Sequence, residues 1–139
     1  MNYNMLPTFN SILCLNGNLP GVSWFAKYYG LPIIAADGAG NKLIELGITP
    51  NFIIGDLDSI AKQHLTCQYN ILHINNQDTT DFEKCLAVMQ NNKLFPSLIY
   101  GIIGNEIDHN IYNVNCFMRQ AKVQSLIFLT IVDNNRTQW

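Results

Sequence analysis

The sequence lacks the features of a nucleic-acid-binding, membrane-spanning or secreted protein. Charged residues make up only 13% of the 139 residues, and 8 basic against 10 acidic side chains leave a net charge of -2. There is no basic patch for nucleic-acid phosphates and no apolar run of about 18 residues that could span a membrane. The opening MNYNMLPTFN has neither the basic nor the apolar region of a signal peptide. We therefore expect a cytoplasmic protein that binds neither nucleic acid nor membranes.

Cysteine and histidine patterns of a zinc site are also missing. The four cysteines are widely spaced without a CxxC pair, and the three histidines show no ligand spacing. Cys14, Cys85 and Cys116 lie in apolar patterns, so we predict that they are small core residues in a reducing compartment. A P-loop is absent as well, and ADGAGNKL fails the GxGxxG pattern because position 43 is leucine.

Short unbroken apolar runs alternate with helix-like segments along the chain. The runs predict strands at Ile12–Leu15, Ile33–Ala36, Phe52–Ile54, Ile71–Ile74, Leu98–Ile103 and Leu126–Val132. The intervening segments predict helices at Val22–Tyr29, Asn41–Leu46, 80–91 and 109–122. Apolar residues without alternation are typical of parallel strands covered on both faces. We expect one α/β domain over residues 1–139, a Rossmann-like parallel sheet of about six strands with helices on both faces.

All seven aspartates follow a predicted strand or begin a predicted helix: Asp37, Asp56, Asp58, Asp78, Asp81, Asp108 and Asp133. Ligands of open α/β sheets bind outside the carboxyl ends of the strands. Aspartate also favours turns and helix caps, which explains any single position more easily than the whole set. The pattern predicts that these aspartates form a functional acidic site at the carboxyl ends of the strands.

Two of these aspartates lie in GDLDS, directly after a strand. If the backbone stays extended, Asp56 and Asp58 point the same way, roughly 6.5 Å apart. At an effective dielectric constant of 20 their repulsion is about 2.5 kcal/mol, so a folded site needs a cation. Ligation by oxygen alone favours Mg²⁺ or Mn²⁺ over zinc.

The stretch QDTTDFEKCL predicts a helix start that could also bind phosphate. Thr80 and Glu83 have the spacing of a capping box, which is a purely structural explanation. Asp81 and Lys84 are three residues apart and share one helix face. Thr80 and Lys84 could therefore hold phosphate oxygens while Asp81 supplies another metal ligand.

In this order, ADGAGNKL, GDLDS, QDTTDFEKCL and GIIGNEIDH resemble the thiamine pyrophosphokinase family, in its N-terminal catalytic domain, over roughly residues 10 to 133. The resemblance implies Mg²⁺-dependent transfer of the pyrophosphoryl group of ATP to thiamine, giving thiamine diphosphate and AMP. It also implies a homodimer with sites at the subunit interface.

The resemblance also implies roles for individual residues. The metal ligands would be Asp56, Asp58 and Asp81, which with Lys84 form the catalytic set. The ATP phosphates would be bound by Asp37, Gly38, Asn41, Thr80 and Lys84. Gln77 and Asp108 would lie nearer the thiamine.

Two departures from the family pattern are present. Asn105 and Glu106 stand where the family usually has the Gly-Arg of GGRxDH, which reverses a charge beside a polyanion. The sequence ends at Trp139, before the family's C-terminal β-rich domain would begin, so we expect either a truncated form or a stand-alone catalytic domain with an altered acceptor site.

Three alternatives remain at the level of sequence. A pterin diphosphokinase shares the chemistry and a GDLDS-like motif, and an inactive nucleotide-binding remnant would keep the metal carboxylates. In a haloacid-dehalogenase-type phosphatase, Asp56 would be the nucleophile and Asp58 the general acid. That motif usually follows the first strand, whereas two strands precede it here.

Overall fold

The computed structural model describes residues 9–27, 30–55, 70–74, 79–104, 107–120 and 126–128. Strands and helices alternate along these residues, apart from two consecutive strands on either side of 56–69. Their bounds are β1 Ser11–Cys14, α1 Val22–Ala26, β2 Ile33–Ala36, α2 Ala39–Glu45, β3 Phe52–Gly55, β4 Ile71–His73, α3 Asp81–Asn91, β5 Ser97–Tyr100, α4 Ile107–Gln120 and β6 Leu126–Phe128.

The six strands form one sheet in the order β4-β3-β2-β1-β5-β6, and each neighbouring pair is parallel. Ile12 of β1 lies opposite Ile33 of β2 on one side and Leu98 of β5 on the other. The strand order reverses between β1 and β5, which in open α/β sheets is where a ligand crevice forms. The predicted parallel sheet of about six strands is confirmed.

Both faces of the sheet are covered, which explains the unbroken apolar runs. Ile12 and Cys14 belong to a buried cluster with Trp24 of α1 and Leu43 of α2. The alternate residues Leu13 and Leu15 belong to a second cluster, with Phe82 and Met89 of α3 and Cys116 of α4. Helices α1 and α2 therefore lie on one face, and α3 and α4 on the other.

Two predicted boundaries were wrong for identifiable reasons. Strand β5 ends at Tyr100 rather than Ile103, because Gly101 takes a left-handed conformation (φ +82°) that turns the chain. Ile102 is buried in the core without being in a strand, so its apolar character extended the predicted run. Helix α2 begins at Ala39 rather than Asn41, because the turn at Asp37 and Gly38 already leads into it.

Other predicted ends differ as well. Helix α4 begins at Ile107, two residues before its predicted start. Helix α1 ends at Ala26, and positions 28 and 29 of its predicted span lie outside the described residues. The predicted continuation of β6 to Val132 also lies outside them.

Three cysteines are core residues, as predicted. Cys14, Cys85 and Cys116 are free and buried, and burial raises the pKa of the Cys116 thiol to about 11. Cys67 lies outside the described residues. None of the described helices has the length and apolarity needed to cross a membrane.

Candidate active site

The site begins at the carboxyl end of β2, where Asp37 turns the chain. Its backbone is left-handed (φ +43°), a conformation that aspartate tolerates better than most residues. The Asp37 N–H donates to the Ile54 carbonyl at 2.8 Å, and the Asp37 carbonyl accepts from Gly40 N–H at 2.9 Å. Asp37 is 3% exposed, so this turn is tied to β3 and enclosed by the fold.

Gly55, the last residue of β3, brings two carboxylate-bearing residues together. A Cβ at position 55 would lie 2.9 Å from Oδ1 of Asp81 and 3.2 Å from Cβ of Asp37. The space beside Gly55 therefore holds the Asp81 carboxylate. The missing side chain lets the ends of β2 and β3 meet the first residue of α3.

Asp81 forms an ion pair with a buried lysine one helical turn away. The Lys84 ammonium lies 3.7 Å from Asp81 Oδ1, which confirms that the two side chains share a helix face. The Lys84 side chain is 4% exposed and that of Asp81 is 35% exposed. A buried ammonium requires a nearby anion, so Asp81 compensates the charge of Lys84 inside the protein. The same carboxylate faces the cavity described below, so it links the core of the protein to the site.

Thr80 forms the capping box that its spacing predicts. Its hydroxyl oxygen accepts from Glu83 N–H at 3.2 Å, and Glu83 Oε1 accepts from Thr80 N–H at 3.2 Å. This arrangement satisfies two backbone donors of the first turn of α3. The structural explanation of the Thr-x-x-Glu spacing is therefore confirmed. Thr80 also lines the cavity, so phosphate binding there stays a prediction.

A cavity of about 350 Å³ opens on the α3 and α4 side of the sheet. Its wall contains residues from four parts of the chain, including Asn16 after β1, Ala36 of β2, Thr80 and Asp81 at the start of α3, and Asp108 and Tyr112 of α4. Its volume falls within the range of about 300 to 1,000 Å³ that is usual for small-molecule sites. The structure therefore brings Thr80, Asp81 and Asp108 to one cavity, and the roles expected for them stay predictions.

The loop after β1 contributes a wall residue that sequence reasoning missed. Asn16 lines the cavity, and a Cβ on Gly38 would meet its Nδ2 at 2.6 Å, so Asn16 packs against the α2 turn. Lys42 Nζ donates to the Gly17 carbonyl at 2.7 Å and the Asn16 carbonyl at 3.3 Å. Desolvation lowers the pKa of Lys42. The available signal for Asn16 was its position directly after a buried strand.

Helix α4 contributes the other wall residues that the sequence did not single out. Tyr112 and Asn113 line the cavity together with Asp108. Tyr112 follows Asp108 by four residues, which places both on one helix face. That spacing was the signal, but it becomes informative only once Asp108 is known to face a cavity.

The remaining predicted residues do not converge or cannot be placed. Gly38 and Asn41 lie at the start of α2, and neither is among the residues that line the cavity. Asp56, Asp58 and Gln77 lie outside the described residues, as do Asn105 and Glu106. Within the described ranges there is no group of three possible metal ligands. The metal site, which needs Asp56 and Asp58, therefore stays a prediction.

The comparisons with known proteins agree on one family. The family described as "Thiamin pyrophosphokinase, catalytic domain" matches residues 31–129. A thiamine pyrophosphokinase of Saccharomyces cerevisiae is 32% identical over 120 residues, covering 68% of this chain and 35% of the yeast protein. Thiamine pyrophosphokinase 1 of Arabidopsis thaliana is 27% identical over 135 residues, covering 78% and 51%.

Solved structures show the same fold. The yeast thiamin pyrophosphokinase superimposes with a TM-score of 0.72 at 20% identity, over 91% of this chain and 60% of the yeast chain. The enzyme of Candida albicans gives 0.69 at 18% identity, over 87% and 58%. This chain spans about half the length of most of the curated relatives it matches, and about a third of the yeast protein. Because the family match covers more than half of its residues, the chain belongs to the thiamin pyrophosphokinase catalytic-domain family.

Proposed function

We propose that this chain is the catalytic, ATP-binding domain of a thiamine pyrophosphokinase. The reaction is the Mg²⁺-dependent transfer of the pyrophosphoryl group of ATP to thiamine, which gives thiamine diphosphate and AMP. The family match over residues 31–129 is the observation that carries the proposal. The cavity supports it, because its lining includes Thr80 and Asp81 from QDTTDFEKCL and Asp108 from GIIGNEIDH, two of the motifs that carry the family resemblance.

The donor atoms available at the site fit a hard divalent cation. Asp81 is 35% exposed, lines the cavity and offers carboxylate oxygens, and Asp56 comes next in sequence after Gly55, against which Asp81 packs. Asp56, Asp58 and Asp81 would hold Mg²⁺, which prefers oxygen ligands. When bound, Mg²⁺ neutralises the triphosphate and polarises the phosphorus that is attacked.

The protein's own residues mainly bind and orient the two substrates. The thiamine hydroxyl oxygen forms a bond to the β-phosphorus, the bond from that phosphorus to the α–β bridging oxygen breaks, and AMP leaves with that oxygen. The hydroxyl proton is released. Because this transfer needs positioning and charge compensation rather than a covalent enzyme intermediate, the chain needs no nucleophile. Asp37, Gly38, Asn41, Thr80 and Lys84 would hold the phosphates, and Gln77 and Asp108 the thiamine.

We also propose that the protein is a cytoplasmic homodimer. Ile107, Ile111 and Met118 lie on one face of α4 and are 57% to 71% exposed. Exposed apolar side chains that form a stripe on a helix support contact with another protein surface. We propose that a second copy of this chain packs against this face of α4, because the family resemblance implies a homodimer.

The direct test is AMP release from Mg·ATP with two candidate acceptors, thiamine and hydroxymethylpterin. The proposal predicts AMP with thiamine and none with the pterin. AMP with the pterin alone would identify a pterin diphosphokinase instead. If ATP binds but no AMP forms with either acceptor, the chain is a nucleotide-binding remnant and the enzymatic proposal is wrong.

A further inference from the structure

One wall of the cavity carries an aromatic side chain that packing does not explain. Tyr112 lines the cavity yet is 54% exposed, so its ring is not part of the core. It follows Asp108 by one helical turn, and both side chains line the same cavity. Phe82 and Asp81, at the start of α3, line the same cavity. Two carboxylates and two aromatic rings thus surround one space.

The helix that carries Tyr112 is anchored at this end by side-chain contacts to the backbone. Asn110 Oδ1 accepts from Gly104 N–H at 2.7 Å, and Asn110 Nδ2 donates to the Gly104 carbonyl at 2.9 Å. Asn113 Nδ2 donates to the Ile102 carbonyl at 3.4 Å. These bonds connect the first turns of α4 to the loop after β5. The position of Tyr112 at the cavity is therefore set by the fold, although its side chain is exposed.

The charge of the cavity wall favours a cation. Asp108, which is exposed, and Asp81 both line the cavity. Lys84 is 4% exposed, forms an ion pair with Asp81 and is not among the residues that line the cavity. An aromatic face beside a carboxylate attracts a planar cation through the ring quadrupole and the negative charge together.

We propose that Tyr112, together with Asp108, selects an acceptor with a positively charged aromatic ring, such as the thiazolium ring of thiamine. This inference rests on the proposed function, which supplies the acceptor. Tyr112 is thereby a specificity residue: its ring lies against the cationic ring, while the transferred group is bound at the Asp81 wall. A neutral pterin lacks the positive charge that the aromatic face and the carboxylate both attract, so it gains no cation–π stabilisation here.

The test is binding of two small acceptors that differ in charge. Neutral hydroxyethyl-methylthiazole and its N-methylated thiazolium cation are titrated into the full chain by calorimetry, without ATP. The wild type should bind the cation about five- to tenfold more tightly. Tyr112→Phe should keep most of this preference because it keeps the ring, and Tyr112→Leu should lose it. Asp108→Asn should reduce the preference for the cation. Added salt should reduce the wild-type preference in the same direction, because it screens the Asp108 charge.

Val22→Ile is the control, because Val22 is similarly exposed, lies on α1 and does not line the cavity. This control should leave the preference for the cation unchanged. The melting temperatures of all variants should match that of the wild type, because the altered side chains are exposed. Equal binding of the two compounds by the wild type, no binding of either at millimolar concentration, or a preference that survives Tyr112→Leu would each overturn the inference. AMP release tests the proposed function separately, since the titration requires no turnover.

Discussion

Oδ1 of Asp81 packs directly against Gly55, so closely that a Cβ on residue 55 would lie 2.9 Å from it. This contact joins the end of β3 to the beginning of α3, although the two residues are far apart in sequence. It holds the Asp81 carboxylate where the cavity and the buried Lys84 both meet it. The site therefore depends on the absence of a side chain at residue 55.

Replacing Gly55 by alanine should destabilise the protein and weaken the site. The new methyl group meets Asp81 Oδ1, and the backbone at φ +149° is one that residues with a Cβ rarely adopt. We expect a loss of about 1 to 3 kcal/mol in the free energy of unfolding, measured by urea denaturation. Weaker binding of Mg·ATP should accompany it.

Gly30→Ala is the control for this change. Gly30 also has a positive φ (+94°), but nothing lies within 4 Å of the added Cβ. Gly30→Ala should lower the free energy of unfolding only by the cost of the backbone conformation and should leave nucleotide binding intact. If Gly55→Ala lowers the free energy of unfolding no more than Gly30→Ala does, the contact between residue 55 and Asp81 does not contribute to stability.

The Asp81–Lys84 pair should show energetic coupling. Asp81→Asn leaves a buried ammonium without its anion, whereas Lys84→Met keeps the apolar stem and removes the charge. In a double-mutant cycle on the free energy of unfolding, we expect a coupling of about 1 kcal/mol, since Asp81 is partly exposed. Additive effects of the two substitutions would show that the ion pair contributes nothing.

Lys42 should make a pH-dependent contribution to stability. Desolvation lowers its pKa in the folded protein from the ordinary 10.5. Between the lowered pKa and 10.5, the unfolded chain binds more protons at this residue, so stability rises with pH in that window. The free energy of unfolding of the wild type, relative to Lys42→Met, should increase from pH 8 towards 10.5. A constant or falling difference would contradict the lowered pKa.

Asp58 should be required for nucleotide binding but not for folding. If Asp58 holds Mg²⁺, then Asp58→Asn removes a ligand charge and should abolish Mg²⁺-dependent ATP binding while the melting temperature stays near that of the wild type. Glu45→Gln, which changes an exposed carboxylate at the end of α2, is the control and should bind ATP normally. Retained ATP affinity in Asp58→Asn, measured by calorimetry, would refute the metal assignment.

The sequence predicted the sheet because its strands are covered on both faces and therefore read as unbroken apolar runs. It predicted Asp81 and Lys84 as neighbours because helical spacing is local. Ile102 misled the prediction of β5, since a residue buried from a loop is as apolar as one in a strand. The contact between Gly55 and Asp81, and the positions of Asn16 and Tyr112 at the cavity, depend on tertiary arrangement, which residue type and spacing do not encode.

The most direct test of the central claim follows the phosphorus atoms of ATP. The chain is incubated with Mg²⁺, thiamine and ATP labelled at either the β- or the γ-phosphorus, with Asp58→Asn purified in parallel to detect contaminating kinases. The account predicts that both labels enter thiamine diphosphate, with one AMP formed per product and none in Asp58→Asn. Formation of ADP, transfer of the γ label alone, or equal AMP release by the variant would contradict it.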